Sequence, residues 1–194
     1  MKIIFREVKM ELLDIVDENG IPTGRTIERT LAHATGAPHR TSHVWLLRKN
    51  PEGKTEILLQ KRSTIKDCFP NCYDISSAGH IPAGSDYIPS ALRELKEELG
   101  ITARADELIY IGSRHASFTQ EFYGKPFKDD QFCRIYLLIK DAADLHMTLQ
   151  KEEISEVMWM TLSDCITAVR HNTIPNCIAL EELLLIRDWC DKNY

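Results

Sequence analysis

Apolar and polar positions alternate along much of this chain in short runs that predict strands. HVWLLR at 43–48 and EILLQK at 56–61 are joined by KNPEGKT, whose Asn, Pro and Gly mark a hairpin turn. From Met10, MELLDIVDENGIPTG reads as a short strand and a turn, which leaves residues 1–9 as a lead-in. A third strand, YDISSA, runs into Gly79, and further strands are expected at 107–113, at 132–139 (FCRIYLLI) and at 157–160 (VMWM). Helical spacing takes over in three places. Asp86 as N-cap and Gly100 as terminator bracket a helix ending at Leu99, with Pro89 in the first turn, where its missing N–H is no loss. LSDCITAVRH begins near Ser163 or Asp164, and PNCIALEELLLIRDWC sets Leu180, Leu183, Leu184 and Arg187 at helical spacing. Strands interleaved with a few helices predict an α/β sandwich, a mixed sheet between helices.

Composition narrows the class. The 194 residues suffice for one well-packed core and no linker divides them, so a single domain over 1–194 is expected. With 43% hydrophobic and 27% charged residues the chain is an ordinary globular protein. A net charge of -5 without a Lys/Arg cluster argues against broad binding to nucleic acid, but leaves room for a phosphorylated small molecule whose charge a metal offsets. No apolar run is long enough for a membrane helix, and MKIIFREVK is too short and too charged for a secretory signal, so a cytoplasmic location is expected. The six cysteines form no CxxC pair and are expected as reduced, mostly buried thiols. Nothing selects an oligomeric state, and a homodimer stays open.

The helix at 87–99 poses a chemical question. At about 100° per residue, Ile88, Leu92, Leu95 and Leu99 form one stripe, while Glu94, Glu97 and Glu98 gather on the opposite side. A helix C-terminus already carries partial negative charge, and Glu94 with Glu98 is a like-charge i, i+4 pair costing about 0.2–0.5 kcal/mol if merely solvated. Arg93, four residues before Glu97, is placed to pair with it. On its own, such a cluster reads as a solvated face.

Its surroundings change that reading. Gly79, then Arg93-Glu94-Leu95-x-Glu97-Glu98-x-Gly100-Ile101 at fixed spacing, resembles the Nudix box, Gx5Ex7REUxEExGU with U aliphatic, and Ser85 is the one departure, standing where the pattern has its first glutamate. The resemblance to the Nudix hydrolase family (MutT-like) covers nearly the whole chain and implies the Nudix fold, an α/β/α sandwich with the box at 79–101. It further implies a site where Glu94, Glu97 and Glu98 hold Mg²⁺ or Mn²⁺, Arg93 orients a glutamate, and the diphosphate linkage of a small organic molecule is cleaved. Hard cations prefer carboxylate oxygen and bridge to phosphates, which answers the charge question. The resemblance also implies a water-activating base, either the box residue Glu98 or a downstream loop acid, Glu152 or Glu153 in QKEEISEVMW, and Glu98 is expected first and Glu153 second.

The N-terminal half looks like the isopentenyl diphosphate isomerase branch, and His33, His39 and His80 resemble that enzyme's histidine metal site. Its catalytic cysteine and glutamate, however, are replaced by Ala78 and Gln131, neither of which shuttles a proton, so isomerase chemistry is not expected. The histidines then read mainly as hydrogen-bonded scaffold, with metal ligation as the alternative. For substrate contact, Arg62 and Arg114 are candidate phosphate ligands and Phe118, Phe122 and Tyr123 candidate stacking partners. Asp129 and Asp130 are placed to hold a second metal or touch the substrate. A catalytically weak module that binds a nucleotide or a partner protein is the alternative that Ser85 suggests.

Overall fold

The computed structural model describes residues 10–141 and 145–194, so the lead-in expected over 1–9 lies outside the described residues. In chain order the elements are β1 (Leu12–Val16), β2 (Pro22–Glu28), α1 (Arg29–Thr35), β3 (His39–Lys49), β4 (Thr55–Arg62), β5 (Tyr73–Asp74), β6 (Ser77–His80), α2 (Tyr87–Leu99), β7 (Ile109–Phe122), β8 (Lys125–Ile139), β9 (Ile154–Thr161), α3 (Leu162–Arg170) and α4 (Leu180–Asn193). β1 and β2 pair by themselves; the other seven strands form a mixed sheet ordered β5-β4-β3-β8-β7, with β6 added to β3 and β9 to β4. Within it β3 and β8 run parallel, from His39 opposite Gln131 to Leu47 opposite Ile139.

Both faces of this sheet are covered, which is why its central strands read as nearly unbroken apolar runs. Trp45 and Leu47 of β3, with Ile135 and Leu137 of β8, pack on Leu162, Cys165 and Ile166 of α3 and Leu183 and Ile186 of α4. Val44 and Leu46, alternating with them, turn to the other side and meet Tyr87, Ala91, Leu95 and Leu99 of α2. The result is the α/β sandwich that the strand and helix pattern predicts.

Several differences have local causes. β2 and α1 escape the pattern because β2 is mostly exposed and α1 is a seven-residue helix too short to show a period. β3 begins at His39 rather than His43, since His39, Arg40, Thr41 and Ser42 are polar yet buried. YDISSA is split because the Ser76 hydroxyl accepts from Leu46 N–H (2.9 Å) and donates to the Leu58 carbonyl (2.6 Å), replacing ladder bonds where β4 leaves β3. β7 and β8 outrun their expected lengths and join in a two-residue turn, Tyr123–Gly124, with φ of 51° and 73°. α4 starts at Leu180, because 175–177 pairs with Tyr73 of β5 before the helix begins.

Candidate active site

α2 holds the box glutamates between well-formed ends. The Asp86 carboxylate accepts from Tyr87 N–H at 2.7 Å, and Gly100, at φ 71°, closes the helix in the left-handed conformation that favours glycine. The expected acidic face is divided. Glu98 is 7% exposed, Glu94 lies with its side chain largely covered, and Glu97 faces solvent. At 100° per residue, Glu98 and Glu94 stand roughly 60° and 100° around the helix from buried Leu95, on the flank of the apolar stripe rather than opposite it. Ile88 and Leu92, expected in that stripe, are only half-buried; Tyr87 and Ala91 take the core side.

Glu98 Oε2 accepts from the Ser77 hydroxyl at 3.0 Å. Arg93 forks, donating to Glu94 Oε1 at 2.6 Å and to Glu97 Oε2 at 2.7 Å, so it orients both. A Cβ at Gly79 would stand 2.3 Å from the Glu94 carboxyl, so only glycine leaves the space this carboxyl occupies. Burial pushes Glu98 up to about 8, helped by the charge of Glu94 and opposed by Ser77. Burial likewise raises Glu94 to about 7, against the pull of Arg93. Two neighbouring carboxyls held this close to neutrality are short of positive charge. Their oxygen donors fit the divalent cation that the sequence resemblance implies. Ser85 supplies no carboxylate; its hydroxyl lies 3.2 Å from that of Ser90 and its carbonyl accepts from Arg40 at 2.9 Å.

Glu153, in the turn before β9, ion-pairs with Lys66. Burial opposes its ionisation, but the Lys66 hydrogen bond prevails and holds Glu153 below the ordinary carboxylate value. Both groups lie within the field of Glu98, so α2, the 63–72 loop and the turn before β9 contribute to one charged cluster. Beside it a cavity of about 170 Å³ is lined by Arg29, Lys66, Gly79 and His80.

Arg62, Arg114 and Asp129 also line this cavity. The Arg62 guanidinium is already engaged, with Nη1 on Asp74 (2.9 Å) and Nε and Nη2 on the Cys68 carbonyl (3.1 and 3.0 Å), so it braces the 63–72 loop. Arg114 directs Nε and Nη2 at Glu182 Oε1 (3.2 and 3.0 Å). Phe122 packs edge-on against Phe69, its ring centroid 4.7 Å away, behind the cavity wall formed by Phe69, Phe118 and Phe127. The hairpin tip reaches the opposite rim, where the Tyr123 hydroxyl donates to the Lys66 carbonyl at 3.3 Å. Asp130 is taken by His115 at 2.6 Å.

The three histidines, far apart in sequence, converge. Their ring nitrogens lie within 4.8 Å of one another, with His33 Nε2 and His80 Nε2 3.1 Å apart. Burial drives His33 down to about 4 and His80 well below its ordinary value, so both rings are neutral ligand-type imidazoles. His39 Nδ1 donates to the Ala37 carbonyl at 2.9 Å, which leaves Nε2 3.4 Å from Asp129 Oδ1, and both atoms are buried without a hydrogen-bond partner. Nitrogen and carboxylate donors gathered in this way fit a cation. Ala78 and Gln131 line the same cavity, and Gln131 Oε1 accepts from the Thr41 hydroxyl at 2.9 Å.

Lys66, Arg29, His43 and Glu182 were not singled out from sequence. Lys66 and Arg29 belong to no motif, and only the chain path brings them to the glutamates. Glu182 did carry a signal: it falls in the buried stripe of α4 with Leu183, Ile186 and Cys190, where an acid has no place without partners.

Among known proteins, a family model described as the NUDIX domain matches residues 38–177. An uncharacterized Nudix hydrolase of Clostridium acetobutylicum is 42% identical over 144 residues, covering 74% of this chain and 66% of that protein. Nudix hydrolase 3 of Arabidopsis thaliana is 40% identical over 157 residues, 77% of this chain but 19% of its own length, so the present chain spans less than two thirds of these two relatives. An uncharacterized Nudix hydrolase of Listeria monocytogenes, 32% identical over 152 residues, is covered to 80%. Among solved structures, the DR0079 protein of Deinococcus radiodurans superimposes with a TM-score of 0.64 at 26% identity, covering 91% of this chain and 98% of that one. A Caenorhabditis elegans Ap4A hydrolase complex does so with 0.52 at 25%, over 78% and 95%. The family model spans most of the chain and agrees with the box on α2, so this chain belongs to the Nudix family.

Proposed function

We infer that this protein hydrolyses the diphosphate linkage of a nucleoside diphosphate derivative or another small organic diphosphate, with Mg²⁺ or Mn²⁺ bound by Glu94 and Glu98. The observation that carries the reading is the pair of buried, under-neutralised carboxyls against Gly79, beside a cavity lined by Arg29 and Lys66. The relatives' names as Nudix hydrolases, and the Ap4A hydrolase among the similar folds, support the same class. Bound there, the cation would neutralise phosphate charge and lower the pKa of a coordinated water. The chain's own groups do the rest. Glu97, exposed and held by Arg93, is the outer acid of the set. Lys66 and Arg29 attract the anionic substrate to the rim, and the Phe69, Phe118 and Phe127 wall shelters its organic part. Glu98 is the stronger base, since burial favours its protonated form, whereas the Lys66 ion pair weakens Glu153 as a proton acceptor.

The test is incubation with Mg²⁺ or Mn²⁺ and a panel of nucleoside diphosphate derivatives and prenyl diphosphates. Metal-dependent release of phosphate-containing products is expected, without interconversion of isopentenyl and dimethylallyl diphosphates. No turnover of any member in either metal overturns the hydrolase reading, and tight binding without turnover selects the binding-module alternative. A second reading concerns His33, His39, His80 and Asp129, whose clustered ring nitrogens and unpartnered carboxylate oxygen favour a further, nitrogen-ligated cation. Metal analysis of the purified protein and of His39→Ala tests it, with loss of one bound transition metal as the expected result.

A further inference from the structure

At the floor of the cavity a second charged group stands apart from the box carboxylates. Glu182, at the first turn of α4, is 1% exposed, and its two oxygens accept four N–H donors. His43 Nδ1 of β3 reaches them at 3.0 and 3.1 Å, Trp45 Nε1 at 3.1 Å, and Arg114 of β7 at 3.0 and 3.2 Å. His43, Cys133 and Glu182 also present donor atoms within 4.8 Å of one another, but with its oxygens taken by N–H groups Glu182 serves an ion pair rather than a cation. Trp45 is fully buried, so the carboxylate cannot swing out to a ligand. His43 and Arg114, which bind it, reach the cavity beside it. His43 Nε2 points toward the Thr41 hydroxyl, 3.5 Å away and too far for a strong bond, and His43, Thr41 and Arg114 all line the cavity.

We propose that Glu182, His43 and Arg114 form an anion seat in which the His43 Nε2–H and the Arg114 guanidinium hold a phosphate oxygen of the substrate's diphosphate. Glu182 balances one of the two positive groups, and Asp129, which also lines the cavity, faces them from β8, so the seat offers fixed N–H donors rather than an excess of charge. The groups facing His43 are Glu182 from α4, Arg114 from β7, and Cys133 and Asp129 from β8. Burial opposes protonation of His43, but Glu182 overrides it and lifts the imidazole well above its ordinary value, which keeps Nε2 a charged donor at neutral pH. The seat lies close to the box, since His43 is paired with Ala78 on β6, next to the Gly79 that Glu94 packs against. Glu182 is thus a positioning residue acting through His43 and Arg114. This inference rests on the diphosphate reading of the site.

Its test separates the two. Inorganic pyrophosphate is titrated calorimetrically into the metal-stripped protein, the parent and the variants His43→Gln, Arg114→Gln and Glu182→Gln, between pH 6 and pH 8. Loss of a charged hydrogen bond should weaken binding on the order of 10-fold in His43→Gln. In Glu182→Gln the imidazole loses its main counter-charge while burial still opposes protonation, so it should give up its charge at lower pH than in the parent and pyrophosphate affinity at pH 8 should fall by more than twofold. If Glu182→Gln does not fold, the His43 and Arg114 variants decide. Affinity within twofold of the parent in both of these, or in a folded Glu182→Gln at pH 8, overturns the seat. Failure of turnover on the organic panel, with these binding losses intact, overturns only the hydrolase reading.

Discussion

Two buried glutamates in this molecule meet opposite fates. Glu98 on α2 has one hydrogen-bond donor, a neighbouring acid and a pKa pushed up to about 8. Glu182 on α4 is buried at least as deeply, and burial works against it too, yet His43, Arg114 and Trp45 bring it down to about 2. Burial alone therefore does not set the state of an interior acid; the number of donors turned to it does. An acid whose demand is met inside the fold organises its neighbours. One whose demand is unmet marks a place for a ligand that supplies what the chain withholds, and at Glu98 the ligand we propose is a cation.

The largest expected effect falls on the satisfied acid. Glu182→Ala leaves His43 and Arg114 without their shared counter-charge and should cost roughly 3–5 kcal/mol in urea unfolding. Because the folded pKa is depressed below the ordinary 4.5, the stability that Glu182 contributes is present above about pH 4.5 and is lost as pH falls toward 2. Acid melts of the parent should show that loss, and a Glu182→Ala protein that melts like the parent would erase the contrast. Next comes turnover. Glu98→Gln keeps shape but loses charge and basicity, so kcat on the best substrate should drop at least about 10²-fold in saturating Mg²⁺.

Stability should respond in the opposite sense at Glu98. Its folded pKa is raised, so the metal-free parent binds the Glu98 proton more tightly when folded and loses stability as pH rises from 4.5 to about 8. Glu98→Gln should remove that loss and, in EDTA at pH 8, melt higher by on the order of 1 kcal/mol. A lower melting point would mean that the Ser77 hydrogen bond outweighs the burial of charge. The smallest effect is at the rim. Glu97→Ala breaks only the solvent-exposed pair with Arg93 and should cost about 0.3–0.5 kcal/mol in the metal-free protein, measured by the same melts.

Much of the fold was legible because its signals are local. The hairpin of β3 and β4, the Asp86 and Gly100 ends of α2, and the apolar runs of β8 and β9 each announce themselves within a few residues. α1 and the first four residues of β3 did not: α1 is too short to show a period, and His39 to Ser42 are polar residues whose burial depends on partners up to 90 positions away, such as Gln131, whose amide oxygen accepts from the Thr41 hydroxyl. The box spacing likewise named the acids of α2 but misplaced them, since whether Glu98 or Glu97 turns inward depends on the contacts of a helix flank with β6.

By itself, then, the sequence determined the family, through the resemblance of the box on α2, and most of the strands and helices, through short-range periodicity. Only the tertiary structure decided which acids are starved of charge and which are sated. It separated Glu94 and Glu98 from Glu97, joined His33, His39 and His80 into one cluster, engaged Arg62 with Asp74, and assembled the Glu182 group from three elements. The physical reason is that the energy of a buried charge is a sum over its neighbours in space, and those neighbours are set by strand pairing and layer packing that no local pattern encodes.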